Sequence, residues 1–278
     1  MVIQHNIAAI NSYRNLSTNQ SALSKNLEKL SSGYKINRAG DDAAGLAISE
    51  TMRSQINGLN QAVNNANDAI GLIQTAEGAM TETHSMLQRM KTLTTQAANG
   101  TYTQTARNNI QAEIDALNKE IGRIATTTEF NGEKPLSPAD AAGNKTTNLT
   151  FFIGASPATA NAMTVAQQAM TQTALKINTI SVKTTTLAFA AMKSVEAAIE
   201  TVSSYRATLG AAQNRLEHTV NNLKVTAENI TSAESRIRDT DMADEITAYT
   251  KNNILLQAAQ SMLSQSNAMP QGVLSMLQ

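Results

Sequence analysis

Three histidines, a pair of adjacent aspartates and twelve methionines are the side chains from which this 278-residue chain would have to build any chemistry. His5, His84 and His218 have no partners at ligand spacing. No His-Glu-x-x-His occurs, so the zinc-binding face of a metalloprotease helix is absent. A Gly-rich phosphate loop, a Ser nucleophile elbow and a dinucleotide fingerprint are absent as well. Asp41 and Asp42 suggest a divalent cation, but two neighbouring carboxylates do not surround an ion with oxygens. They read instead as the N-cap and first-turn acid of the helix that follows. With no cysteine there is neither a disulfide nor a thiolate metal site. The methionines suit flexible packing between helices. The expectation is a chain without catalytic residues, metal or cofactor: not an enzyme.

Composition narrows the partners. Lys and Arg total 22 and Asp and Glu total 22, a formal net charge of zero. Phosphate binding calls for a basic excess, so no nucleic acid is expected. Charged residues make up 16% and aromatics 3%. A surface so weakly charged does little to keep copies of the chain apart. No apolar stretch approaches the length of a membrane helix, and the N-terminus lacks a basic region followed by an apolar core. Composition therefore points to the cytosol, or to export by a route that reads no such signal, with no membrane partner.

The elements are set by heptads. Near the start, Leu16, Leu23, Leu27, Leu30 and Tyr34 fall on one stripe, which extends back through Tyr13, Ala9 and Val2 and stops at Ser31-Ser32-Gly33. A second tract runs Met52, Ile56, Leu59, Val63, Ala66, Ile70, Ile73, Met80, Leu87, with Glu77 and His84 as polar exceptions, inside a helix expected over 43–98. A third, Ile110, Ile114, Leu117, Ile121, Ile124, predicts a helix over 105–124. A fourth spans 187–237 and carries Arg206, Gln213 and Glu234 in its seam. The last stripe is Ile246, Tyr249, Leu256 and Leu263. Between the third and fourth tracts, residues 131–186 hold all but one of the chain's prolines. Two short strands are expected there, at 149–153 and 177–182, forming a hairpin.

The pattern predicts a mainly α fold: a long antiparallel helical bundle with a small β-hairpin, the two termini pairing as a coiled coil. The expected domains are 1–44 with 239–278, a terminal module including its linker, and 45–238, a bundle with an insert at 131–186. Apolar stripes on both ends suggest a chain completed by other copies of itself. Periodicity is equally satisfied by a filament subunit, an ordinary bundle or a signalling hairpin.

Particular runs of residues go further. Met1-Val2-Ile3-Gln4-His5-Asn6, Leu27-Glu28-Lys29-Leu30-Ser31-Ser32-Gly33 and Ala39-Gly40-Asp41-Asp42-Ala43-Ala44-Gly45-Leu46 resemble the beginning of a bacterial flagellin. Leu209-Gly210-Ala211-Ala212-Gln213-Asn214-Arg215-Leu216, Ser235-Arg236-Ile237-Arg238-Asp239 and Pro270-Gln271-Gly272-Val273-Leu274 resemble the second half of one. The resemblance implies a short flagellin with little outer domain. It would be an extracellular subunit that polymerises into the flagellar filament, driving swimming, after type III export without a cleaved signal peptide. A hook–filament junction protein is the alternative. The implied partners are other copies, hook-associated junction and cap proteins, and an export chaperone that wraps about 246–278. Flagellins that engage Toll-like receptor 5 carry a Gln-Arg-x-x-x-Leu word and a downstream Glu, matched here by Gln88, Arg89, Leu93 and Glu113.

Overall fold

A computed structural model describes residues 6–137, 148–156, 158 and 161–276. Residues 1–5, with Val2 and His5, the insert residues Pro138, Gly143 and Pro157, and the last two residues lie outside this description. The described elements are α1 (Ile7–Ser32), α2 (Ala43–Ala98), α3 (Gln104–Thr127), β1 (Asn148–Phe152), β2 (Ala162–Ala166), α4 (Thr185–Arg238) and α5 (Met242–Met276). The fold is mainly helical with one small antiparallel sheet. The chain divides into two compact units, Met1–Ser54 with Glu228–Gln278, and Gln55–Ala227.

In the Gln55–Ala227 unit one hydrophobic cluster draws on three helices. Ile73, Met80, Leu87 and Met90 come from α2, Ile114 and Ile121 from α3, and Val195, Val202, Leu209 and Leu216 from α4. The spacings of three and four that marked these tracts put each set on one helical face, and burial of that face stabilises the bundle. Two of the polar exceptions meet: Arg206 of α4 reaches Glu77 of α2 at 3.4 Å. Arg107 closes the α2–α3 turn, donating to the carbonyls of Ala97 and Asn99 and to the Thr185 hydroxyl.

The hairpin forms, with a different second strand. β1 pairs antiparallel with β2, setting Leu149 opposite Val165 and Phe151 opposite Met163. Met163 and Val165 join the core, so the alternation of Ala162-Met163-Thr164-Val165-Ala166 faces inward at every second residue. Residues 177–182, expected as the second strand, are instead a packed loop. Ile177 and Val182 are fully buried, while α3 side chains take the place of a neighbouring strand. Gln111 accepts from Val182 N–H at 2.7 Å and donates to the Ile180 carbonyl at 3.1 Å. Asn118 donates to the Ile177 carbonyl at 2.7 Å. Replacing Gln111 with Leu strands a buried N–H and a carbonyl at once. Gln111→Leu will cost about 2 kcal/mol, read as a lower urea midpoint with an unchanged slope.

In the other unit α1 and α5 pair. The Asn6 side chain caps α1, accepting from Ala9 N–H, and its amide donates to the Ser266 carbonyl of α5 at 2.8 Å. α1 ends where Gly33 adopts φ 75°, a left-handed conformation that glycine tolerates without strain. The chain then runs beside the end of α4. Lys35 N–H donates to the Arg238 carbonyl at 2.7 Å, and Thr240 N–H to that of Gly33 at 3.0 Å.

The two aspartates of the linker separate in role. Asp42 caps α2, accepting from Gly45 N–H at 2.9 Å. Asp41, expected in the first turn of that helix, stays in the loop and accepts from the N–H groups of Asn37 and Arg38. The Arg38 N–H, followed by that of Asn37, holds its carboxyl below the usual aspartate value. Whatever the loop gains from that carboxylate is complete at neutral pH and is lost as pH falls through the lowered value. A Cβ on Gly45 would collide with the Asp42 carboxylate and meet Ile36 Cδ1 at 2.8 Å; glycine leaves room for this close approach.

Candidate functional site

The paired termini expose two kinds of apolar surface. The inner face between α1 and α5 carries Leu16, Leu23 and Leu30 on one side and Tyr249, Leu256 and Leu263 on the other, all half-buried. Toward the C-terminal end of α1, against the first turns of α5, is Asn26, buried. With its amide turned to satisfy both ends, Asn26 donates to Glu245 and to the Ala22 carbonyl and accepts from Tyr249 N–H and Asn252. A buried asparagine in a helix seam costs stability and fixes register.

Two residues expected in the stripes, Leu27 and Ile246, lie on the outward side and are exposed. The outward surface also carries Ile7, Ile10 and Tyr13 of α1 and Ile254, Leu255, Met262 and Met269 of α5, spread over more than one side of each helix, since Ile246 and Leu255 lie about 180° apart on α5. So many large apolar side chains in the open on one helix pair exceed the singly scattered apolar residues of an ordinary surface. Leu255 and Met262 also line a groove of about 320 Å³ with Ser12, Asn15 and Asn19 of α1.

Tyr34, the expected end of the N-terminal stripe, belongs to neither face. Gly33 turns the chain before it, and its ring lies under two guanidinium groups, Arg238 at 4.7 Å and Arg53 at 5.8 Å. Carboxylates tie the same arginines: Arg238 donates to Glu50 at 2.6 Å, and Arg53 lies 3.5 Å from Glu234. This ladder, which the heptad pattern did not announce, fastens the linker to the ends of α2 and α4 within the terminal unit. Arginine suits it because a planar guanidinium stacks on an aromatic face while its edge binds carboxylate.

The structure separates the four receptor-motif residues. Gln88, Arg89 and Glu113 are exposed, and Arg89 pairs with Glu113 at 2.8 Å, joining α2 to α3. Leu93 is only 2% exposed and belongs to the core. The motif supplied its residue type, but α2 is bridged to α4 as well, through Lys91 and Glu196 at 3.0 Å. Its buried face is wide enough to take in Leu93, which is thereby withdrawn as a surface contact.

Among the described residues no group of three or more His, Cys, Asp or Glu is placed to hold a metal ion. No described helix is long and apolar enough to cross a membrane.

Residues 3–141 match the family model of the bacterial flagellin N-terminal helical region, and residues 192–277 that of the C-terminal helical region. The chain belongs to the bacterial flagellin family. It is 50% identical over 305 aligned positions to flagellin from Bacillus subtilis, each chain covered in full. A crystal structure of Bacillus cereus flagellin superposes with a TM-score of 0.50 at 30% identity, covering 62% of this flagellin and 94% of that chain. A Vibrio parahaemolyticus structure assigned as a flagellar hook-associated protein superposes with a TM-score of 0.59, covering 72% of this chain and all of that one. That likeness is at 12% identity and shows a shared fold alone. The sequence separates the two readings: this flagellin is a structural subunit of the flagellar filament.

Proposed function

We propose that the subunit polymerises through the outward side of the α1–α5 pair, and that the terminal unit forms the inner layer of the filament. The carrying observation is the set of exposed apolar residues, Ile7, Ile10 and Tyr13 on one helix and Ile254, Leu255 and Met262 on its neighbour. The inner face is occupied by the partner helix within the chain, so a second apolar side serves contact between chains. Contacts between unlike patches that do not close into a ring build a helical polymer. Raising the salt concentration on purified subunit will produce material that pellets at high speed. Monomer that stays in the supernatant under every salt and seed condition would refute the reading.

Three partner assignments follow, two on the terminal helices and one on the exposed α2–α3 charge pair. Export delivers the subunit to the extracellular filament, and an export chaperone covers about 246–278, whose helix bears Ile246, Ile254 and Met262 in the open. A truncated chain lacking 246–278 will lose the chaperone in a pull-down; retained binding would remove the assignment. Junction and cap proteins meet the same terminal face at the ends of the polymer. Toll-like receptor 5 reads Gln88, Arg89 and Glu113, where the paired charges stand on the surface. Arg89→Ala will lower signalling in a reporter cell line at least about tenfold, the loss expected of an arginine anchor. Equal signalling would clear the site of that role.

A further inference from the structure

The described methionines range from fully buried, through half-buried Met52, Met86 and Met192, to widely exposed. Met80 and Met90 have no exposed surface. Met262 and Met269 are 63% and 54% exposed. They stand seven residues apart on α5, with Leu255 seven residues earlier, so the three form one outward stripe. Met242 is exposed as well, but its position on α5 places it off that stripe. A thioether packs like leucine yet offers a sulfur lone pair to two-electron oxidants.

We infer that Met262 and Met269 form an oxidation-sensitive modification site, at which a peroxide stops the subunit from polymerising. The inference rests on the proposal that the outward stripe of α5 is an assembly contact. In the reaction the Sδ lone pair attacks one oxygen of hydrogen peroxide. The S–O bond forms as the O–O bond breaks, and the displaced hydroxide takes up the proton of the transferred oxygen and leaves as water. Sulfur loses two electrons and becomes the sulfoxide; the peroxide is reduced. A sulfoxide is polar and chiral, and its oxygen has no donor waiting on an apolar contact. The free subunit is therefore vulnerable, whereas the assembled one has the stripe covered. A methionine sulfoxide reductase reverses the block.

The test treats purified monomer with hydrogen peroxide, locates sulfoxide by peptide mass spectrometry and follows salt-induced growth by light scattering. Met262→Leu/Met269→Leu and Met242→Leu are run beside the wild type. Sulfoxide will appear at Met262 and Met269 well before Met80 and Met90. Growth of the oxidised wild type and of oxidised Met242→Leu will fall on the order of tenfold per buried sulfoxide. The double variant will grow normally with or without peroxide. Equal inhibition of the double variant, or reaction at Met262 no faster than at Met80, would overturn the inference and leave the assembly reading standing. Normal growth of a Leu255→Asp variant would instead remove the assembly reading itself.

Discussion

Aspartate at both Ile10 and Leu255 will leave a folded subunit that does not grow into filaments. Both side chains are exposed, so the substitutions remove nothing from the core, and the thermal transition will stay within the scatter of surface changes. In the polymer each carboxylate meets an apolar neighbour. Burying one unpaired costs about 3 kcal/mol or more, which raises the concentration needed for growth more than about a hundredfold per site. Circular dichroism and sedimentation of one preparation check both halves of the expectation. Loss of helix together with loss of growth would mean that the two residues stabilise the fold, and normal growth would mean that they touch nothing.

The second large effect is internal. Leu87 has no exposed surface and sits in the cluster fed by α2, α3 and α4. Leu87→Ala deletes its branched end and leaves a cavity that helices held by neighbouring contacts close only in part. The cost will be about 3 kcal/mol, lowering Tm by roughly 10 °C. Val225, apolar but exposed on α4, is the control: Val225→Ala will change stability by less than about 0.5 kcal/mol. Similar losses at the two positions would contradict the placement of the core.

How much of this was legible in the residues depends on the range over which each feature is decided. Helices α2, α3 and α4 could be read because a helix reports its buried face every three or four residues. The partner of a polar exception could not: Glu77 and Arg206 meet across the bundle, far apart in sequence. The first strand of the hairpin lies where the sequence puts it, and only the second differs, for a related reason. Residues 177–182 have apolar ends that look like a strand, but α3 side chains satisfy their backbone, and no local pattern announces that. β2, with two large apolar residues in five, carries a weaker signal than the loop that was mistaken for it.

The site was legible in part. A stripe such as Leu16, Leu23, Leu30 shows that a helix seeks a partner, without showing whether that partner lies in the same chain. The structure gives this stripe to α5 and leaves Leu27 and Ile246 facing outward. The ladder of Tyr34, Arg53, Glu234 and Arg238 needs the ends of three segments brought together, so only its residue types were visible beforehand. Leu93 shows the opposite limit, since a matched word carries a residue's identity and not its burial.

The central claim is that the outward side of the α1–α5 pair joins one subunit to the next. Electron cryomicroscopy of the salt-induced polymer, at a resolution that places side chains, tests it most directly. The account predicts a helical filament in which Ile10, Leu255 and Met262 are buried between subunits. A filament in which those three face solvent, its subunits joined through the 55–227 unit instead, would contradict it.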